Sequence, residues 1–193
     1  MKYPNGVKQK ITTKKEIKYA NRGMTLESDI NLSNIYYIEK GIAYIYKKPT
    51  PIQLVKVNYP EKKKAVITEA YFKEPSTLDY NGLYKGYYID FDAKETNNKT
   101  SFPLSNINKH QINHIKNIYN NKGICFLIVR FNKLDKTYLL MGKDLIYHID
   151  NYDRKSIPIN YFKEHAYEIE YKYYPRLDYI TIIDRILGGK NGY

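Results

Sequence analysis

The sequence contains no tryptophan, a single cysteine and only five arginines. Nor does it contain a stretch of about 18 or more consecutive apolar residues. Each lack excludes something. One cysteine cannot close an internal disulfide, and Cys125 stands inside the apolar run Ile124 to Val129, where a small buried hydrophobe in a reducing cytoplasm is expected. Without a long apolar run no membrane span is expected. The basic, polar stretch from Met1 to Lys18 has no apolar h-region, so secretion is not expected either. Acidic side chains are the minority, 20 against 32 Lys and Arg, leaving a net charge of +12. A surplus of that size favours a polyanionic partner through counterion release, nucleic acid first. The bias of 27 lysines and 23 tyrosines is also compositional, so charge alone does not separate nucleic acid from a membrane or ribosome surface. At 193 residues the chain suits one well-buried core.

Residues 1–22 carry seven basic side chains and one acid, Glu16, with little periodic apolar content. A mobile basic arm is expected there, followed by a single domain over 23–193. Thr25 is placed to cap a helix in which Leu26, Ile30, Ser33 and Tyr37 share a stripe and which Gly41 ends. Strands are expected at Ile42 to Tyr46, Gln53 to Val57 and Ala65 to Tyr71, the last two joined by a tip carrying Lys62, Lys63 and Lys64. A turn is expected near Asn81 and Gly82, then a strand from Tyr87 to about Lys94. A helix opening at Ser105 or Asn108 runs to about Asn120. After it come a buried strand at Ile124 to Phe131, its neighbour at Tyr138 to Met141, and a last helix at Tyr179 to Leu187. From Asp144 to that helix the pattern is short and mixed.

Alternation on a strand puts Tyr88, Asp90, Asp92 and Lys94 on one face and Ile89, Phe91 and Ala93 on the other. The charged face reads either as the wet side of an edge strand or as a site. Asp79, 13 positions before Asp92, is near enough across a turn to bring a second carboxylate beside it. Two carboxylates meeting this way call for a cation, and hard oxygen donors suit Mg²⁺. Lys94 then stands where a phosphodiesterase needs a cation beside developing negative charge. The pattern is short and recurs by chance.

Longer phrases are more specific. NRGMTLESDIN (Asn21 to Asn31), KKPTPIQLVKV (Lys47 to Val57), DYNGLYKGYYIDFDAKETNNKTSFPL (Asp79 to Leu104), GICFLIV (Gly123 to Val129) and PRLDYI (Pro175 to Ile180) resemble the RecU family of Holliday-junction resolvases. The resemblance implies an α/β fold of the PD-(D/E)XK nuclease type, with a mixed central sheet flanked by helices. It also implies a homodimer, Mg²⁺ dependence and endonucleolytic resolution of four-way DNA junctions in recombination and repair. The family's metal-site pattern falls on Thr77, Asp79, Asp92 and Gln111, with Lys94 as transition-state stabiliser. Asp92 departs from the family's glutamate and Leu78 from the proline of the general motif. A protruding stalk is implied at about Pro49 to Phe72, and with it DNA contacts from Lys56, Lys62, Lys63 and Lys64, joined by Arg22 of the arm. Recombination proteins are further candidate partners.

His110 and His114 stand four apart on the expected helix but lack an HEXXH glutamate and a third ligand, so zinc is not expected. The reading from a different class is a noncatalytic junction-binding modulator of strand exchange, in which Asp92 leaves the cation site too poor for turnover. A restriction-like nuclease on ordinary duplex and a ribosome-associated basic protein are the remaining alternatives.

Overall fold

Thr25 accepts the backbone N–H of Ser28 at 3.2 Å and caps the first helix, α1 (Leu26–Glu39), whose positive amino end carries Glu27 and Asp29. Leu26, Ile30, Ser33 and Tyr37 are all buried, as their common stripe predicts. Gly41, at φ 63°, lets the chain turn out of the helix. This computed structural model describes residues 25–58, 65–73 and 77–188.

After α1 come β1 (Tyr44–Lys47), β2 (Ile52–Asn58), β3 (Val66–Phe72), β4 (Tyr80–Tyr84), β5 (Tyr87–Thr96) and β6 (Ser101–Pro103). Helix α2 (Lys109–Asn120) leads to β7 (Ile124–Phe131) and β8 (Lys136–Met141). The remainder is α3 (Gly142–Asn151), β9 (Ser156–Pro158), α4 (Ile159–His165), β10 (Tyr167–Glu168) and α5 (Tyr179–Gly188). A mixed six-stranded sheet has the order β1-β4-β5-β7-β8-β10. Only β5 and β7 run parallel, crossing over through α2, and every other pair is antiparallel.

Helices cover both faces of this sheet. Ile89, Phe91, Phe126 and Ile128 point toward α1 and α5, while Cys125, Leu127 and Val129 point toward α2, α3 and α4. Central strand β7 is buried at every position, the pattern of a strand covered on two sides. On the α1 side, Tyr80, Phe91 and Phe126 stack at 4.8 and 4.7 Å between ring centres, three strands deep. Cys125 packs on the other side, and burial pushes its thiol up to about 12.

The expected turn at Asn81 and Gly82 lies elsewhere. Those residues belong to β4, and the turn between β4 and β5 is Lys85–Gly86, with φ of 48° and 81°, in a two-residue hairpin closed by Tyr84 opposite Tyr87. Gly82 serves another purpose. A Cβ there would lie 2.1 Å from the Tyr44 carbonyl oxygen, so its lack of a side chain allows β1 to approach β4.

Among the described residues, strands β2 and β3 pair only with each other and form a separate ribbon, exposed at every position except the half-buried Val57. Lys73 closes its base by donating its backbone N–H to the Pro51 carbonyl at 3.0 Å. Phe72 is 83% exposed and Tyr71 60%. The two strands lie within the stretch, about 49–72, where a stalk was expected. The tip with Lys62, Lys63 and Lys64, and the arm with Arg22, lie outside the described residues.

Candidate active site

The β4–β5 hairpin sets the site. Tyr80 pairs with Phe91, so Asp79, one step before β4, stands across from Asp92. Directly opposed residues of antiparallel strands project to the same face, and both carboxylates are therefore on the α2 side, behind the aromatic stack. Asp79 is half-buried and Asp92 fully buried. The charged face of β5 is thus no wet edge: β5 is flanked by β4 and β7, and α2 lies over it.

Asp92 Oδ2 accepts from the side-chain amide of Gln111 and lies 3.2 Å from Lys94 Nζ. Gln111 reaches Asp92 because α2 opens at Asn108. Its amide oxygen accepts the Asn108 backbone N–H at 3.0 Å, half of a capping box, and so the N–H side of the amide faces the carboxylate. Asp92 Oδ1 is buried and finds no hydrogen-bond partner among the described residues. Burial raises the Asp92 carboxyl to about 6; the Lys94 ammonium opposes the rise and the Asp79 charge adds to it.

These features fit a divalent cation. An unpartnered anionic oxygen, facing the field of a second carboxylate, is the donor a hard cation takes, and Mg²⁺ is commonly held by one or two carboxylates with water completing its shell. Among the described residues no three His, Cys, Asp or Glu side chains gather as a metal cluster, and the expected ligand Gln111 turns its amide oxygen to Asn108 and its N–H to Asp92, so it acts on the site through Asp92. Thr77 is half-buried and donates its hydroxyl to the neighbouring Leu78 carbonyl at 3.3 Å.

A second rung of the same face, placed there by alternation, was given no role in the sequence reading. Asp90 is fully buried, and its carboxylate receives Lys48 Nζ at 3.0 and 3.1 Å, the Tyr88 hydroxyl at 2.8 Å and His114 Nε2 at 2.9 Å. His114 stands one turn beyond Gln111, so α2 addresses Asp90 and Asp92 with consecutive turns. Strand alternation was the available signal for Asp90; nothing local pointed to Lys48, 42 positions away.

Behind the site, Glu95 accepts the Leu26 backbone N–H at 2.9 Å and lies 3.6 Å from Arg130. Arg130 in turn bonds buried Asp29 at 2.6 Å, and Asp29 also receives the Tyr171 hydroxyl at 2.5 Å and Arg176 at 3.2 Å. This network ties α1 to β5 and β7. Among the described residues no helix is long and apolar enough to cross a membrane.

Residues 21–185 match the family described as RecU, Recombination protein U. Similar chains include the Holliday junction resolvase RecU of Staphylococcus aureus strain JH9, 50% identical over 200 residues that cover 97% of this chain and 96% of the relative. The protein of the same name from Staphylococcus epidermidis is 50% identical over 201 residues, with the same coverage. Among solved structures, the Holliday junction resolvase Hjc of Archaeoglobus fulgidus is similar at 6% identity and a TM-score of 0.39, over 70% of this chain and 92% of that one.

Proposed function

Since this chain belongs to the RecU family, we propose that it is a Holliday-junction resolvase, a crossover-junction endodeoxyribonuclease that makes paired symmetric nicks in four-way DNA during recombination and repair. The observation that carries the reading is the buried, half-satisfied carboxylate of Asp92, opposed by Asp79 and flanked by Lys94. The sheet with helices on both faces is of the PD-(D/E)XK nuclease kind in this reading.

Asp79 and Asp92 would hold Mg²⁺, with Thr77 and Gln111 at its margin. The ion, when bound, neutralises phosphate charge and lowers the pKa of a coordinated water. The protein's own groups do the rest. Gln111 fixes the Asp92 carboxylate and so aims its second oxygen. Lys94, one-fifth exposed, presents an ammonium beside the negative charge that develops on the phosphate and leaving oxygen. The aromatic stack beneath β4 and β5 keeps this geometry rigid.

The ribbon supplies shape selection. Its exposed Tyr71 and Phe72 offer stacking surfaces to the base-pair faces left unstacked at a junction centre, and Lys56 with Lys62, Lys63 and Lys64 meets phosphates. Arg22 and the basic arm add backbone contacts. Phosphate contacts carry no sequence information, so they read junction form. Two symmetric cuts call for two equivalent sites, and the protein acts as a homodimer in the cytoplasm.

The test incubates purified protein with labelled four-way junction and matched linear duplex, in Mg²⁺ or EDTA, beside Asp79→Ala and Lys94→Ala. Paired nicks confined to the junction, lost with EDTA and in both variants, are expected. Tight junction binding without cutting in any divalent metal would overturn the enzyme and favour the noncatalytic modulator.

A further inference from the structure

We propose that Lys48 is a positioning residue that couples the root of the stalk to the metal-binding carboxylates, so that seating the ribbon in a junction sets the geometry of the site. The proposal rests on the reading of β2–β3 as a junction-engaging stalk. Lys48 is the first residue beyond β1 and stands immediately before Pro49, where the chain leaves the sheet for the ribbon. It is held at two points. Its backbone N–H donates to the Asp79 carbonyl at 2.7 Å, and its ammonium meets both oxygens of Asp90 at 3.0 and 3.1 Å. One residue at the stalk's base therefore grips the strand that bears one metal-site carboxylate and, two positions from Asp92, the strand that bears the other.

The grip continues into α2. Asp90 also binds His114, and one turn earlier on the same helix Gln111 holds Asp92. Lys48, Asp90 and His114 are joined by polar contacts, as are Gln111 and Asp92, and one turn of α2 connects the two sets, supplemented by the direct backbone bond from Lys48 to Asp79. Asp90 is fully buried and the Lys48 side chain is 21% exposed, so the link is shielded from solvent and salt in a way that surface ion pairs are not. An ammonium that already spans both oxygens of a carboxylate is poorly placed to serve as a phosphate contact. Its position at the root suits a strut. Among the described residues, the ribbon's side chains are exposed along both strands except for the half-buried Val57, whereas Lys48 at its root is bonded into the body. A tilt of the ribbon is thus delivered to the sheet at Lys48. Misplacement of a catalytic group by about 1 Å costs on the order of a hundredfold in rate, so even a small slackening here is measurable.

The experiment compares full-length wild type, Lys48→Met and Lys48→Arg on a four-way junction. Binding is measured in EDTA, single-turnover cleavage in Mg²⁺, and hydrogen–deuterium exchange with and without junction in EDTA. In wild type the junction slows exchange in β2–β3 and also in Leu78 to Tyr84 and at the start of α2. In Lys48→Met affinity and stalk protection persist, protection beyond the stalk is lost, and the cleavage rate falls about tenfold to a hundredfold. Lys48→Arg, keeping the cation, recovers most of the rate. Equal protection of β4 and α2 in wild type and Lys48→Met overturns the coupling, as does weakened affinity with an unchanged single-turnover rate. Should Lys48→Met fail to fold, Asp90→Asn, which keeps the volume and removes the charge, carries the same comparison. A junction that leaves the wild-type stalk unprotected overturns the stalk reading itself, whereas a protected stalk with no change beyond it overturns only the strut.

Discussion

Gln111 donates its side-chain N–H to Asp92 while its amide oxygen accepts the backbone N–H of Asn108 at 3.0 Å. One side chain thus caps α2 and aims a carboxylate. Gln111→Ala removes both functions, so it is expected to lower unfolding free energy by about 1–3 kcal/mol. It is also expected to cut the junction-cleavage rate about tenfold to a hundredfold, as for other groups that orient a metal ligand. Denaturant melts and single-turnover assays on one preparation check both. Unaltered cleavage would show that Asp92 needs no such orientation.

Asp92 itself opposes stability in the metal-free protein. Its carboxyl titrates near 3.8 when unfolded and is raised to about 6 when folded, chiefly by burial. The folded state therefore binds the proton more tightly, and its advantage is complete below the unfolded value and lost as pH rises through about 6. Asp92→Asn abolishes cleavage and is expected to raise metal-free stability near neutral pH by about 3 kcal/mol. The gain should vanish below pH 3.8. Thermal melts in EDTA across this range test it; a variant less stable at neutral pH would refute the sign.

Asp92→Glu restores the side chain the family resemblance leads one to expect. A carboxylate one methylene longer reaches further from β5, and half-maximal cleavage is expected at a lower Mg²⁺ concentration than for wild type. A Mg²⁺ titration of cleavage decides it. A higher requirement would mean that the site is shaped around aspartate.

Away from the chemistry, Asp29→Ala leaves Arg130 and Arg176 buried without the carboxylate both of them bind. A loss of about 1–3 kcal/mol is expected, the cost of removing hydrogen bonds that a buried carboxylate accepts from charged donors. Urea unfolding measures it, and a loss under about 1 kcal/mol would place the network among ordinary surface pairs.

Gly82→Ala drives a methyl group into the Tyr44 carbonyl. The expected result is a loss of more than about 2 kcal/mol, as in overpacked interiors, with reduced cleavage because β1 leads directly to Lys48. Melting and cleavage assays on the same variant report both, and normal values for both would show that β1 moves aside freely.

How much of this was legible in the sequence depends on the range of the interactions. Helix α1 was readable because its cap, stripe and terminal glycine are local, and β7 because burial on both faces leaves an unbroken apolar run. Strand β4 was missed: Asn81–Gly82 carries a turn's chemistry but is used for close strand approach, a fact fixed by Tyr44 and Ile45 across the sheet. Helices α3 and α4 and the short strands β9 and β10 were lost in a mixed pattern whose order comes from packing, and the three-residue β6 was too short to read. At the site, alternation placed Asp90 and Asp92 together, and the family resemblance supplied Thr77, Gln111 and the stalk. Lys48 and His114 around Asp90 could not be read, because their meeting is a product of topology rather than spacing.

The lone thiol of Cys125 has a practical consequence. Packed between β7 and α2 with its ionisation pushed up to about 12, it is almost wholly unionised at neutral pH, and thiol-directed reagents act on the thiolate. Cysteines introduced along the ribbon can therefore be labelled in an otherwise native chain. Spectroscopic reporters on β2 or β3 would follow the ribbon's movement without first altering the core beneath the active site.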